Sequence, residues 1–399
     1  MIVSSSCHEG GQKQVAKTGP VSYQPGTFGY DLDFLRQHDS VVVLSSREGK
    51  AQIIVSPKYQ GKVFTSTAAG DPGPSFGWVN YKAFNGPVNA HMNGYGGENR
   101  LWLGPEGGRY SLFFAPGSRM VFDNWRTPAA FDTEAWQVSG KDDRSVTLSK
   151  DMKLLNYHGM EMSLHVDRNI TILGESDISG LLGVSGVIQA VGYRTVNRLT
   201  NTGDKEWTKK SGAPCIWILD MFKPTDSTVI VVPFKNPEGK PLHAIATTDY
   251  FGEIGGDRLK HGDSILYFKA DGKKRGKLGV YPGNAEGVAG SYDAKKGVLT
   301  LIFFDITPSA DYLNQQWTTD KPPFSGDALN AYNDGPLADG TQMGPFYELE
   351  SVAPAAFLKP GATQVHNHIV VHCMGDREVL DRIAQKVLRS SLESIEKAF

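Results

Sequence analysis

The chain has 399 residues, with 41 Lys and Arg against 43 Asp and Glu, and its formal net charge of -2 argues against nucleic acid or an anionic membrane as partner. Hydrophobic residues at 40% and charged residues at 21% fit a soluble globular protein, and no apolar run is long enough to span a bilayer. The 45 glycines and 22 prolines imply many turns and therefore many strands, while Cys7, Cys215 and Cys373 form no CxxC pair and give no disulfide framework.

The stretch Met1 to Cys7 ends in small residues before a cysteine. It resembles the last part of a bacterial lipoprotein signal, which implies a lipid anchor at Cys7 and a periplasmic or outer-membrane location. The alternative is an ordinary cytoplasmic start. Residues 8–23 are polar and Gly-rich, so residues 1–24 are expected to be a flexible tail and 25–399 one domain.

Gly29 to His38 predicts a short helix, Val41 to Leu44 a strand, and Gln52 to Ser66 a strand, turn and strand. Phe76 to Tyr95 reads as a long loop, and Asn99 to Phe114 as a loop followed by a strand. From Phe122 to Phe304 short apolar runs recur between turn residues, including Ser145–Leu148, Ser163–Val166, Ile170–Ile172, Ser185–Val191 and Thr228–Val232. That spacing predicts a large antiparallel sandwich rather than α/β units. Asp376 to Lys397 predicts one helix, capped by Asp376 and carrying an apolar stripe that includes Leu380, Ile383, Leu388 and Leu392.

The most heavily loaded stretch is Gly344 to His372, read as two strands around the turn Leu358–Gly361. Alternation puts Phe346, Glu348, Glu350 and Val352 on one face of the first strand and Tyr347, Leu349 and Ser351 on the other. In the second, His366, His368 and His372 share a face. Two carboxylates at i and i+2 push their pKa values apart, which suits acid/base chemistry. An earlier cluster, His91 to Arg109, holds His91, Glu98, Arg100, Trp102 and Glu106 among glycines. An aromatic plate beside a guanidinium and a carboxylate suits a polyol, whose CH faces stack and whose hydroxyls take paired donors and acceptors. Trp217 and Asp220 lie where a strand leaves the turn Asn201–Asp204, and Asn333 and Asp334 just precede the loaded stretch. The basic run Asp271 to Leu278 reads as a solvated hairpin turn around Lys273 and Lys274.

Five segments in order resemble the galactose mutarotase-like superfamily of aldose 1-epimerases: IIVSPKYQGKVFTS, GGENRLWLGPEGG, LTNTGDKEW, ELESVAP and FLKPG. The run from Gly326 to Gly361 looks like an uncharacterised bacterial family within it. The resemblance implies a β-supersandwich with a C-terminal helix and a carbohydrate pocket. It also implies a general base matching Glu350, with Glu348 as its neighbour. Arg100, Trp102, Glu106, Trp217, Asp220, Asn333 and Asp334 would then contact substrate. The family's acid is a mid-chain histidine, but here the segment reads CIWILDMF and has none, leaving His91 or a histidine of the Gly344–His372 stretch as a substitute. No cofactor is expected. Three functions follow: a sugar isomerase, a non-catalytic carbohydrate-binding protein, and a cupin-like metal enzyme using His366, His368 and His372.

Overall fold

The computed structural model describes residues 22–184 and 188–399. Cys7, most of the expected tail and the first residues of the expected 185–191 strand lie outside that range.

Two large antiparallel sheets face one another. The six-stranded sheet runs in the order Ala246–Thr247, Gly276–Val280, Leu329–Asn333, Tyr347–Val352, Cys215–Phe222, Arg100–Gly104. The ten-stranded sheet runs Leu259–His261, Ile265–Lys269, Thr228–Pro233, Val288–Asp293, Val298–Phe304, Thr363–Met374, Gln189–Asn201, Glu161–Ile172, Ser145–Leu155, Gln137–Lys141. A three-stranded sheet, Val42–Ser45, Gln52–Ser56 and Lys62–Thr67, stands beside them with the helix Phe28–Arg36 packed on it through Phe28, Leu32 and Leu35.

Strand sequences follow from what covers each face. Glu161–Ile172 alternates buried with half-buried or exposed residues, because one side meets the core and the other meets solvent. Thr228–Pro233 is buried throughout and Val298–Phe304 almost so, and both are apolar apart from Thr228 and Thr300. Their inward residues Ile230, Val232 and Ile302 join Leu101, Ile218, Leu278 and Leu349 in the main core between the sheets. Their outward residues Val229, Val231, Leu299 and Leu301 are covered by Leu380, Ile383, Ala384 and Leu388 of the C-terminal helix. Each such aliphatic side chain contributes about 1.5–3 kcal/mol by leaving water.

Four expectations change. The Gly344–His372 stretch is not a hairpin: Tyr347–Val352 belongs to the six-stranded sheet and Thr363–Met374 to the ten-stranded one. The strand near residue 100 comes before its loop, at Arg100–Gly104, and the Gly-rich residues that follow form no strand up to Phe114. The runs 163–166 and 170–172 belong to one strand, Glu161–Ile172. The C-terminal helix is two helices, Arg377–Leu388 and Leu392–Glu396. Asp376 does cap the first, accepting from the Glu378 and Val379 amides, but Arg389 turns left-handed at φ 57° and Ser391 caps a new helix.

Candidate functional site

Side chains opposite one another in an antiparallel pair share a face. Glu348 lies opposite Tyr332 and Met221, and Glu350 opposite Asn330 and Leu219. Leu219 in turn lies opposite Arg100, Trp217 opposite Trp102, and Tyr332 opposite Lys277. The register therefore carries Lys277, Tyr332, Glu348, Glu350, Trp217, Arg100 and Trp102 onto one face of the six-stranded sheet, the face turned away from the ten-stranded sheet.

The charges on this face are paired and buried. Arg100 forms an ion pair with Glu348, and its guanidinium lies 5.1 Å from the Trp102 ring centre. One oxygen of Glu350, Oε2, accepts from Trp217 Nε1 at 2.8 Å and from Lys277 Nζ at 2.9 Å. Lys277 also lies over the Trp217 ring at 4.9 Å, and Trp102 meets Trp217 edge to face at 5.7 Å. Arg100, Glu348 and Lys277 are each under 8% exposed, and Glu350 is fully buried. Burial pushes Glu348 up to about 7; Arg100 opposes this and the neighbouring Glu350 carboxylate adds to it. Burial alone would lower Lys277, but Glu350, Glu106 and Glu348 outweigh it and raise it. Burial also raises Glu106 against the pull of Lys277.

Arg100 Nε, Trp102 Nε1 and Glu350 Oε1 are buried on this face and have no hydrogen-bond partner among the described residues. Each such group ordinarily costs about 1–3 kcal/mol.

The other residues singled out in the sequence sit elsewhere. Asp220 points to the opposite face of its strand, between the sheets. There its Oδ2 lies 2.7 Å from His368 Nε2, and its Oδ1 accepts from Asn99 at 2.5 Å. Ser351, one residue past Glu350, faces the same way, with its Oγ 2.8 Å from His368 Nδ1 and 2.9 Å from His366 Nε2. His372 contacts Thr300 at 2.8 Å and Glu98 at 3.1 Å. His368 and His372 thus spend both ring nitrogens, and His366 its Nε2, in a buried polar layer between the sheets, with His366 pushed down to about 3 by burial and by His368. Among the described residues, no group of three or more His, Cys, Asp or Glu side chains is arranged to hold a metal. Asn333 also faces inward, fixing the 272–274 turn through the Gly272 amide and the Lys274 carbonyl. Asp334 accepts from the Gly344 amide at 2.9 Å and from Tyr332 at 3.1 Å, at the margin of the face. His91 stands on a loop, stacked on Phe122 at 4.3 Å, with its Nδ1 2.8 Å from the Trp125 carbonyl oxygen.

Three residues of this region were not singled out in the sequence: Lys277, Tyr250 and Asp327. Lys273 is exposed and paired with Asp226 as a turn residue should be, but Lys277, four residues on, is the second residue of the strand Gly276–Val280, opposite in face to Leu278. That alternation was its only signal. Half-buried Tyr250 has its ring 5.5 Å from the Lys277 ammonium, and its hydroxyl donates to Asp327 at 2.5 Å. Burial pushes Asp327 up to about 6. Gly279 makes room for it, since a Cβ there would sit 2.0 Å from the Asp327 carboxylate.

This two-sheet architecture is the galactose mutarotase-like supersandwich. A protein of Synechocystis sp. PCC 6803 matches over 84% of this chain and 96% of its own, with a TM-score of 0.50 at 12% identity, so what is shared is the fold. A candidate aldose 1-epimerase from Escherichia coli K12 matches over 84% of this chain and 98% of its own (TM-score 0.49, 13% identity). A galactose mutarotase-like protein from Lactobacillus casei matches over 84% and 100% (TM-score 0.46, 11% identity). No curated protein matches the sequence. Residues 26–399 match the family of unknown function DUF6786, and the chain belongs to that family.

Proposed function

We propose that the outer face of the six-stranded sheet binds a carbohydrate. The observation that carries this is the convergence of Arg100, Lys277, Glu348 and Glu350 beside Trp102 and Trp217, with Arg100 Nε, Trp102 Nε1 and Glu350 Oε1 left unpaired. Sugar hydroxyls both donate and accept, so they can answer two unpaired N–H groups and one unpaired carboxylate oxygen together. Because Glu350 is fully buried, a ligand reaches it only after a side chain over the face, such as Tyr250, swings aside. Saturation-transfer NMR and calorimetry with a panel of aldoses and short oligosaccharides test the reading. Saturable binding to wild type, weakened by Arg100→Gln, is the expected result. A panel without a binder removes the proposal.

A second reading, a ring-opening isomerase, is favoured by the state of Glu350. Its Oε2 is held by Trp217 and Lys277 while Oε1 is free to accept a proton. Glu350 would take the anomeric hydroxyl proton as the ring C–O bond breaks, and the ring oxygen would take a proton from a donor. The Lys277 ammonium is the charged donor next to Glu350. Glu350→Gln should then abolish most anomerisation while retaining affinity, because the amide hydrogen-bonds but accepts no proton; Glu348→Gln should change affinity more than rate. Binding without anomerisation above the spontaneous rate leaves the binding-protein reading alone.

A further inference from the structure

At one end of the sandwich, between the sheets rather than on the carbohydrate face, lies a cavity of about 300 Å³. Phe222 and Tyr347 line it, and both belong to the inward register of the strands that carry Trp217 and Glu350 outward. Phe76, Val298 and Met374 add apolar wall. His372 closes the floor. Its ring stacks on Phe76 at 4.4 Å and meets Phe222 edge-on at 5.2 Å, and both its nitrogens are engaged by Thr300 and Glu98.

Two ammonium groups, Lys223 and Lys296, border this apolar space. Their contacts to carboxylates are long, Lys223 to Asp31 at 3.4 Å and Lys296 to Asp293 at 3.8 Å, and Lys296 also donates to the Lys223 carbonyl oxygen at 3.4 Å. Both carboxylates are otherwise engaged. Asp31 also accepts from Ser75 and Tyr81, and Asp293 Oδ1 accepts from Thr225, Ser227 and the amides of Lys295 and Lys296. Burial lowers Lys296, and Lys223 is close enough to lower it further. One buried acceptor remains: Asp293 Oδ2, the oxygen 3.8 Å from the Lys296 ammonium, has no hydrogen-bond partner among the described residues.

We propose that this cavity is a second binding site, for a small organic acid with an apolar body and a hydroxyl beside its carboxylate. The volume is in the range of small-molecule sites. The apolar body meets Phe76, Phe222, Val298 and Met374. The carboxylate relieves the repulsion between two weakly partnered ammonium groups, and the hydroxyl donates to Asp293 Oδ2. Asp293 is what sets the hydroxyl requirement, since a bare carboxylate would leave its free oxygen facing an anion.

Calorimetry on the full chain with 3-phenyllactate, 3-phenylpropanoate and 2-phenylethanol tests it. Saturable binding is expected in the order phenyllactate, phenylpropanoate, phenylethanol. Lys296→Gln, at a side chain 44% exposed and so safe for folding, should weaken phenyllactate by about tenfold or more. Met374→Trp, which fills the cavity from a half-buried position, should abolish it. The proposal is overturned if phenyllactate does not saturate, if phenylethanol binds as well, or if neither substitution weakens binding in protein of wild-type melting temperature. None of these results depends on whether the outer face binds sugar.

Discussion

The Lys277–Glu350 pair offers the sharpest test of the site as drawn. Both side chains are almost wholly out of water and 2.9 Å apart. Replacing Lys277 by Met keeps the volume and removes the charge. Glu350 would then be a buried carboxylate with one hydrogen bond, from Trp217 Nε1, and an unpaired Oε1. Removing one partner of a buried pair costs about 3–5 kcal/mol, because the remaining charge is uncompensated. An exposed pair would cost only about 0–1 kcal/mol. Adding Glu350→Leu to Lys277→Met should recover more than half of the loss, since no charge then remains buried. Equilibrium unfolding in urea, with the m-value held constant, reads both numbers. A loss below about 1 kcal/mol, or strict additivity in the double variant, refutes the burial argument and with it the geometry of the face.

Trp102 packs against Phe113, Phe131 and Trp217 and is 5% exposed, so Trp102→Ala should cost about 3–5 kcal/mol in urea unfolding. The sequence reading makes Trp102 a substrate contact; its burial in an aromatic layer makes it a support of the fold as well. Glu348 gives a pH signature. Its folded pKa, raised to about 7 mainly by burial, exceeds its unfolded value, so its contribution is fully present below about 4.5 and lost as pH rises through 7. Relative to Glu348→Gln, wild type should therefore lose stability over that window, by about 3 kcal/mol at most; a parallel pair of stability profiles contradicts it. Ser351→Ala should cost about 1–3 kcal/mol, because it strands ring nitrogens of both His366 and His368 between the sheets, and no loss would mean that the two rings find other partners.

What the sequence discloses is local, and what it hides is pairing. Alternation around Glu348 and Glu350 assigns their shared face correctly, since period two is a property of one strand. The same alternation puts His366, His368 and His372 on one face, and the structure agrees. Nothing local says that the two strands lie in different sheets. Turn chemistry at Leu358–Gly361 is compatible with a hairpin and with a crossing between sheets, and the choice depends on the partners Leu219 and Tyr193, more than a hundred residues earlier. Lys277 was hidden by its neighbours: Lys273, Lys274 and Arg275 are exposed, and composition averages it in with them. The Arg377–Glu396 segment keeps its apolar stripe through Arg389–Ser391, so periodicity alone could not show the break.

Asp220 illustrates how one strand serves two chemistries. Cys215–Phe222 is buried at every position, so its sequence carries no solvent-facing alternation to separate its sides. Trp217, three residues from Asp220 and therefore opposite in face, donates to Glu350 on the outer side. Asp220 faces inward, where it joins His368, Asn99 and, through Asn99, the buried Arg168. Ser351 repeats the division one strand away, facing His368 while its neighbour Glu350 faces Lys277. The inner layer is out of reach of any ligand on the outer face, yet it fixes both strands that present Trp217 and Glu350. A hydroxyl, two imidazoles and a carboxylate hydrogen-bonded in the interior tie the two sheets at that point. The outer pair therefore rests on strands held by polar contacts as well as by the apolar core, and a substitution at Asp220 should reach the outer face through strand position rather than through contact.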